Sequence, residues 1–231
     1  MSNAEDGARL DGMAYLPLGT GDAYFGASGC LYLLATKAYE RIPADAAETA
    51  PRQLDTLVSI LFSAAALEAY VMELQRHAAG AAQHISQAEY LQGLADVLDE
   101  AERSRGSVQL KFMLAKRLLP GQPFDKGAQP YQDFDLLFQL RNAIVHLKPQ
   151  DATTEPHRLV VQLAARKLCE RSEPRVLQSW LDLIETRAVA RWACNIVPAM
   201  VNALSEGLAP NSLESCVLNL NNRFRHFDRV A

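Results

Sequence analysis

The chain has 231 residues, 49% of them hydrophobic and 22% charged, with a formal net charge of −4. That length and apolar content suit one domain that buries a core without staples, and they exclude collagen-like, low-complexity and disulfide-scaffold classes. With 27 acidic residues against 23 basic ones, a strongly basic nucleic-acid clamp is excluded, while a local cationic site is not.

The first 28 residues carry Gly7, Gly12, Gly19, Gly21 and Gly26 with little periodicity and read as an irregular arm. The opening MSNAEDGARLDGM is acidic, unlike a secretory or transit leader. No apolar run approaches the roughly 18 residues a membrane span needs, so a cytoplasmic protein without membrane contact is expected. GTGDAYFGASG lacks the lysine and the preceding strand of a phosphate-binding loop.

From 27 to about 41 the pattern Cys30, Leu31, Leu33, Leu34, Ala38 predicts a helix that ends at Ile42-Pro43. Residues 52–77, rich in Ala, Leu, Met and Glu behind Pro51, predict a second, broken by AAGAAQH. Ser86 with Glu89 is a capping-box signature for a helix over about 87–102. A fourth spans about 107–119 and stops at Pro120-Gly121. A fifth spans about 132–147 and stops at Lys148-Pro149. Residues 150–170 admit a short strand at HRLVVQL, but helix or irregular structure is preferred. From Pro174 one long amphipathic helix is expected to about Glu206, kinked at Pro198. The expected fold is therefore all-α: an antiparallel bundle of about six helices over 29–206, between the N-terminal arm 1–28 and a C-terminal tail 207–231.

Two charges interrupt the helical stripes. At 100° per residue, Leu57, Leu61, Ala64, Ala65, Val71 and Met72 share one side of the second helix, and Glu68 falls among them. On the fifth helix Phe134, Leu137, Phe138 and Val145 form a strip with Arg141 at its centre. Leu136, Leu140, Ala143, Ile144 and Leu147 extend the apolar surface, leaving one narrow polar strip, Asp135, Gln139, Asn142 and His146. Such a helix is expected to be buried nearly all round. A guanidinium–carboxylate pair between Arg141 and Glu68 would satisfy both charges. It reads either as a structural ion pair or as the positive element of a site that also uses His146.

The segment Arg141-Asn142-Ala143-Ile144-Val145-His146 resembles the signature of the HEPN superfamily: an arginine, a polar residue, a short spacer and a histidine. LFSAAALEAYVMEL resembles the small-residue-rich helix of bacterial HEPN groups, with Glu68 as its acidic residue, and SWLDLIETRAVARWA resembles their later helix. The resemblance covers roughly 29–205. It implies a helical bundle that forms a homodimer and brings two motifs to one cleft. It also implies metal-independent endoribonuclease activity, of the kind found in toxins and host-defence effectors, with RNA as substrate and a cognate antitoxin protein as partner. In that reading His146 is the base or acid, Arg141 binds the phosphate, Asn142 orients either, and Glu68 holds Arg141. No cofactor is implied. The alternatives are a non-catalytic helical dimer that binds RNA, nucleotide or protein, and a plain scaffold.

Other features carry less. Cys30, Cys169, Cys194 and Cys216 are scattered and read as free thiols, with no clustered metal ligands. Trp180 and Trp192 read as core, and His77 and His84 have no metal spacing. The tail Arg223-Phe224-Arg225-His226-Phe227-Asp228-Arg229 suits either RNA contact or packing of its phenylalanines on the bundle.

Overall fold

A computed structural model describes residues 26–43, 54–83, 89–147, 157–170, 179–208 and Phe224. Among these residues every regular element is a helix: α1 (Ala27–Arg41), α2 (Asp55–Ala82), α3 (Glu89–Arg103), α4 (Val108–Leu118), α5 (Tyr131–Val145), α6 (Arg158–Ala165), α7 (Trp180–Ile184) and α8 (Arg187–Ser205). The all-α bundle is as expected, and the count exceeds six because α6 and α7 are short, separate pieces. Most of the expected arm and tail, and Ser86 of the capping box, lie outside the described residues.

Helix α2 runs through the middle and packs on α1, α3 and α8, and also on α4 and α5. Ile60, Leu67, Tyr70, Leu74, Ala78 and Ala81 are buried along it. The helix ends within AAGAAQH as expected, but only after Ala82, five residues beyond His77. Alanine is the best helix former, and the buried Ala78 and Ala81 offset the roughly 1 kcal/mol that Gly80 costs. By length and composition α2 is apolar enough to cross a membrane, with mean hydropathy 1.7 over eighteen residues, contrary to the expectation from the sequence. More than half of that stretch is buried inside the bundle, as in the core helix of a water-soluble fold.

Helix α1 is rolled differently from its sequence pattern. Tyr32, Ala35, Ala38 and Tyr39 face the core, while Leu33 and Leu34 stay 45% and 49% exposed. The roll follows from a carboxylate on α2. Glu73, only 4% exposed, accepts the backbone N–H of Ser28 at 2.8 Å and the Ser28 hydroxyl at 2.6 Å. Gly26, the N-cap, offers no side chain, so Glu73 caps the first turn of α1 from the neighbouring helix. Further along, Ser59 Oγ reaches the Ala35 carbonyl at 3.0 Å.

Aromatic rings join the next layer. Phe112 of α4 lies 6.2 Å from Tyr70 and 4.9 Å from Phe134 of α5, centroid to centroid, and Phe134 lies 5.1 Å from Phe138. Phe224 of the tail is buried edge-on against Tyr32 and Tyr70, so this residue takes the packing role. The rest of the basic-aromatic tail lies outside the described residues.

The long C-terminal helix is interrupted, and not at Pro198. Ser179 and Asp182 form a capping box that starts α7, and Thr186 caps α8 by accepting the Val189 N–H at 3.2 Å. Thr186 also donates to the Leu168 carbonyl at 2.7 Å and accepts Thr56 Oγ1 at 3.0 Å through its own carbonyl. These bonds hold the chain out of helix at 185–186. Helix α8 continues through Pro198, whose missing N–H leaves the carbonyl four residues back without its usual donor.

The C-terminal ends of α4 and α8 meet through backbone. Lys116 Nζ donates to the Glu206 carbonyl at 3.0 Å. Gly121 (φ 108°) and Gly207 (φ 96°) lie against each other. A Cβ on Gly207 would come within 2.8 Å of the Gly121 nitrogen, and one on Gly121 within 2.4 Å of the Glu206 oxygen. This contact anchors the loop that leads from α4 to α5.

Two stability predictions follow from these contacts. Glu73→Leu strands the Ser28 N–H and hydroxyl, and chemical denaturation is expected to show a loss of about 2–4 kcal/mol. Gly207→Ala combines a left-handed φ with a backbone clash and should lose about 1–3 kcal/mol. A change within about 0.5 kcal/mol in either variant would mean the contact is slack.

Candidate functional site

Helix α5 divides in two along its length. Tyr131, Asp133, Phe134, Leu136, Leu137, Phe138 and Leu140 are buried, because α2, α4 and α8 cover this half. The last turn then emerges. Asn142 and His146 are exposed, and so are Val145 and Leu147, at 54% and 45%. The helix is thus buried nearly all round only as far as Leu140, which corrects the expectation for its second half.

Three of the four expected site residues come together. The Arg141 Nη1 donates to Asn142 Oδ1 at 2.9 Å. Its Nη2 lies 3.7 Å from Glu68 Oε2, an ion pair too long to be a hydrogen bond. The Arg141 and Glu68 side chains are 36% and 47% exposed, so Glu68 does not sit in an apolar seam. The stripe on which it falls is mixed: Ala64 and Val71 are buried, while Leu57, Leu61, Ala65 and Met72 are half-buried like Glu68 itself. The buried carboxylate of α2 is Glu73. In the sequence it lies among Tyr70, Val71, Met72 and Leu74 much as Glu68 lies among Ala66, Leu67, Ala69 and Tyr70, so the local pattern does not single it out.

His146 is the C-cap of α5; its backbone N–H donates to the Asn142 carbonyl at 3.0 Å. Among the described residues no hydrogen bond or ion pair joins its imidazole to Arg141, Asn142 or Glu68. Helix geometry explains this. Arg141 and His146 are five residues apart, about 140° around the axis and about 7.5 Å along it. Asn142 and His146, four apart, share a face.

The polar strip of α5 meets α6 on its other flank. Asp133 and Arg166 form a pair at 2.7 Å, 12% and 25% exposed. Arg158 donates to Gln139 Oε1 at 3.1 Å, and Gln139 Nε2 donates to Asp135 at 2.7 Å. An open cleft of about 540 Å³ lies here, between α5, α6 and the loop before α5. Its lining includes Gln132, Asp135 and Gln139 of α5, Gln162 of α6 and the loop's Lys126. The strip was visible in the sequence, but its partner helix was not, because α6 lies in the segment whose pattern was ambiguous.

Two of the described cysteines are ruled out as nucleophiles. Burial pushes the Cys169 thiol up to about 11 and the Cys194 thiol up to about 12, so neither is a thiolate near neutral pH. Burial raises the Tyr70 hydroxyl further, aided by the nearby Glu73 charge. His77 and Trp180 are buried core residues, and the His157 ring stacks on Trp180 at 4.5 Å. Among the described residues, no group of three His, Cys, Asp or Glu is arranged to hold a metal ion.

No protein-family model, no curated protein and no solved structure matches this chain.

The exposed Arg141–Glu68 pair leads to one prediction. Such pairs contribute about 0.2–1 kcal/mol. Glu68→Ala should therefore change the unfolding free energy by less than about 1 kcal/mol, in contrast to Glu73→Leu. Equal losses in the two variants, measured by urea denaturation, would contradict this separation of a surface pair from a buried clamp.

Proposed function

We propose that the chain is an RNA-directed, HEPN-like helical domain that cleaves RNA without a metal ion, using Arg141 and His146 at the cleft of a homodimer. One observation carries the reading. Arg141 and Asn142, hydrogen-bonded to each other, and His146 all lie on the last turn of α5, where that helix leaves the core. A guanidinium and an imidazole are therefore within reach of an external phosphate.

The chemistry needs a base for the ribose 2′-OH proton, a cation for the charge that builds on phosphorus, and an acid for the leaving 5′ oxygen. The 2′ oxygen attacks phosphorus, the bond to the 5′ oxygen breaks, and a 2′,3′-cyclic phosphate and a 5′-OH result. Arg141 suits the cation, since its fork matches two phosphate oxygens. His146 suits proton transfer, since an imidazole can both accept and donate a proton. Asn142 shares the face of His146 and holds Arg141 at 2.9 Å, so it ties the guanidinium toward that face.

The same geometry supports a dimer. Arg141 and His146 of one chain leave the helix about 140° apart. Two copies about a two-fold axis would offer one of each from opposite sides, and also a second imidazole, so that base and acid are separate groups. Val145 and Leu147, exposed beside His146, suit burial between two copies. A toxin or defence effector with this site would be silenced by an antitoxin that covers the end of α5.

A second reading has one observation in its favour. Among the described residues nothing orients the His146 imidazole, whereas a catalytic histidine is usually held by a partner. That suits a non-catalytic dimer that binds RNA or protein through the same surface.

The test is cleavage of a mixed tRNA and mRNA pool by the purified chain in EDTA, beside His146→Ala and Arg141→Ala. Wild type should cleave, and each variant should fall by at least about a hundredfold while keeping its helical circular dichroism. Cleavage by His146→Ala at the wild-type rate would remove the assigned role. RNA binding without cleavage by any of the three would favour the second reading.

A further inference from the structure

We infer that the cleft between α5 and α6 is a nucleotide subsite, which reads a base edge with carboxamides and takes a phosphate on Lys126 and Arg158. At about 540 Å³ it falls in the range of small-molecule sites, about 300–1,000 Å³. Three carboxamides line it, Gln132, Gln139 and Gln162. A carboxamide offers a donor and an acceptor side by side, which is what the edge of an unstacked base requires. Gln139 is fixed at both ends, by Asp135 and Arg158, so it forms a rigid wall. Gln132 uses only its Nε2, on the Gly127 carbonyl at 2.6 Å, and keeps its oxygen for a ligand. Gln162 has neither end engaged by a described residue. The floor of the cleft is closed by the buried Tyr131 and Leu136, so a ligand is held mainly by the polar walls.

The charge balance, one positive charge in excess, favours an anionic ligand. Asp135 is occupied by the Gln139 and Gln109 carboxamides, the latter at 3.4 Å. Asp133 is occupied by Arg166 Nε, whose Nη1 also donates to the Gln162 carbonyl at 3.1 Å. The Lys126 ammonium has no ion-pair partner among the described residues, and the exposed Arg158 contacts only the neutral Gln139 there. Lys126 and Arg158, which holds the cleft-lining Gln139, therefore have no carboxylate partner, and against the Asp135 carboxylate they leave one net positive charge beside the cleft. Phosphate suits the cations, and a base suits the amides.

The cleft also continues toward the motif. Gln132, Asp135, Gln139, Asn142 and His146 follow one another at steps of three, four, three and four along one face of α5. Gln139 and His146 are two turns apart, about 10.5 Å. A ribonucleotide strand on this strip would put one base in the cleft while a neighbouring phosphate lies beside Asn142 and His146. This last step rests on the cleavage reading above; the cleft's fit to a mononucleotide does not.

Calorimetric titration of the full chain with AMP and CMP, adenosine and inorganic phosphate tests the subsite. At least one mononucleotide should bind with a Kd below about 1 mM, and adenosine and phosphate at least about tenfold more weakly. Gln162→Leu and Lys126→Ala, each checked for an unchanged melting curve, should each weaken nucleotide binding about tenfold or more. Phosphate binding as tight as nucleotide binding overturns the base-reading role, which makes the cleft an anion site only. No saturable binding, or binding that survives Gln162→Leu, overturns the subsite. RNA cleavage without nucleotide binding would sink this inference and leave the cleavage reading intact. Nucleotide binding lost in Gln162→Leu with no RNA cleavage would do the reverse.

Discussion

The rest of the bundle is arranged around the burial of α2, and the Glu73 carboxylate sets the terms of that burial. A charged group 4% exposed in a helical core is costly unless its lone pairs are filled. Here two protons of Ser28 fill them, at the one end of α1 where backbone N–H groups lack intrahelical partners. One contact therefore satisfies a buried anion and an uncapped helix together. It also fixes the roll of α1, which is why two tyrosines face inward and two leucines outward. Tyr70 lies one turn from Glu73 on the same helix and joins α2 to Phe112 and, through it, to Phe134 of α5.

This frame explains why α5 has two characters. Its first half is enclosed by α2, α4 and α8, and the aromatic row from Tyr131 to Phe138 fills the space between them. Its last turn is only partly covered: Ala143 and Ile144 still pack on the core, while Asn142, Val145 and His146 are exposed. A residue type that would be expensive at Leu137 is cheap at Arg141, because solvent reaches more than a third of the Arg141 side chain. The Arg141–Glu68 contact is accordingly a loose surface pair. It leaves the guanidinium available, whereas a tight buried pair would have consumed it. In the proposed reaction that availability matters more than the pair's small stabilisation.

The opposite flank of α5 is built differently. Asp133 and Arg166 tie the start of α5 to the end of α6, and Gln139 joins Asp135 to Arg158. These contacts hold α6 far enough from α5 to leave a polar cleft between them. The loop that carries Lys126 is anchored at its start by the close backbone approach of Gly121 and Gly207. The cleft and the motif are therefore two stations on one rigid helix face, not two loops that must be ordered separately.

The sequence by itself determined the helices, because their signals are local. Periodicity, proline and glycine stops and alanine-rich composition placed α1, α4 and α5 to within a residue or two. They also pointed to the polar strip and to the Arg141-Asn142…His146 cluster. Local signals also explain two of the misses: the Ser179–Asp182 capping box and the Thr186 cap were present in the sequence, but the long amphipathic pattern around them masked the break. Only the tertiary structure decided which face of each helix is inside, and so which charge is buried. Glu68 and Glu73 are five residues apart on one helix, with apolar neighbours on both sides. Nothing in the local pattern separates them, because burial depends on where α1 and α5 approach. The cleft was equally out of reach, since its walls come from segments up to 40 residues apart, Lys126 to Arg166, and no one-dimensional period connects them.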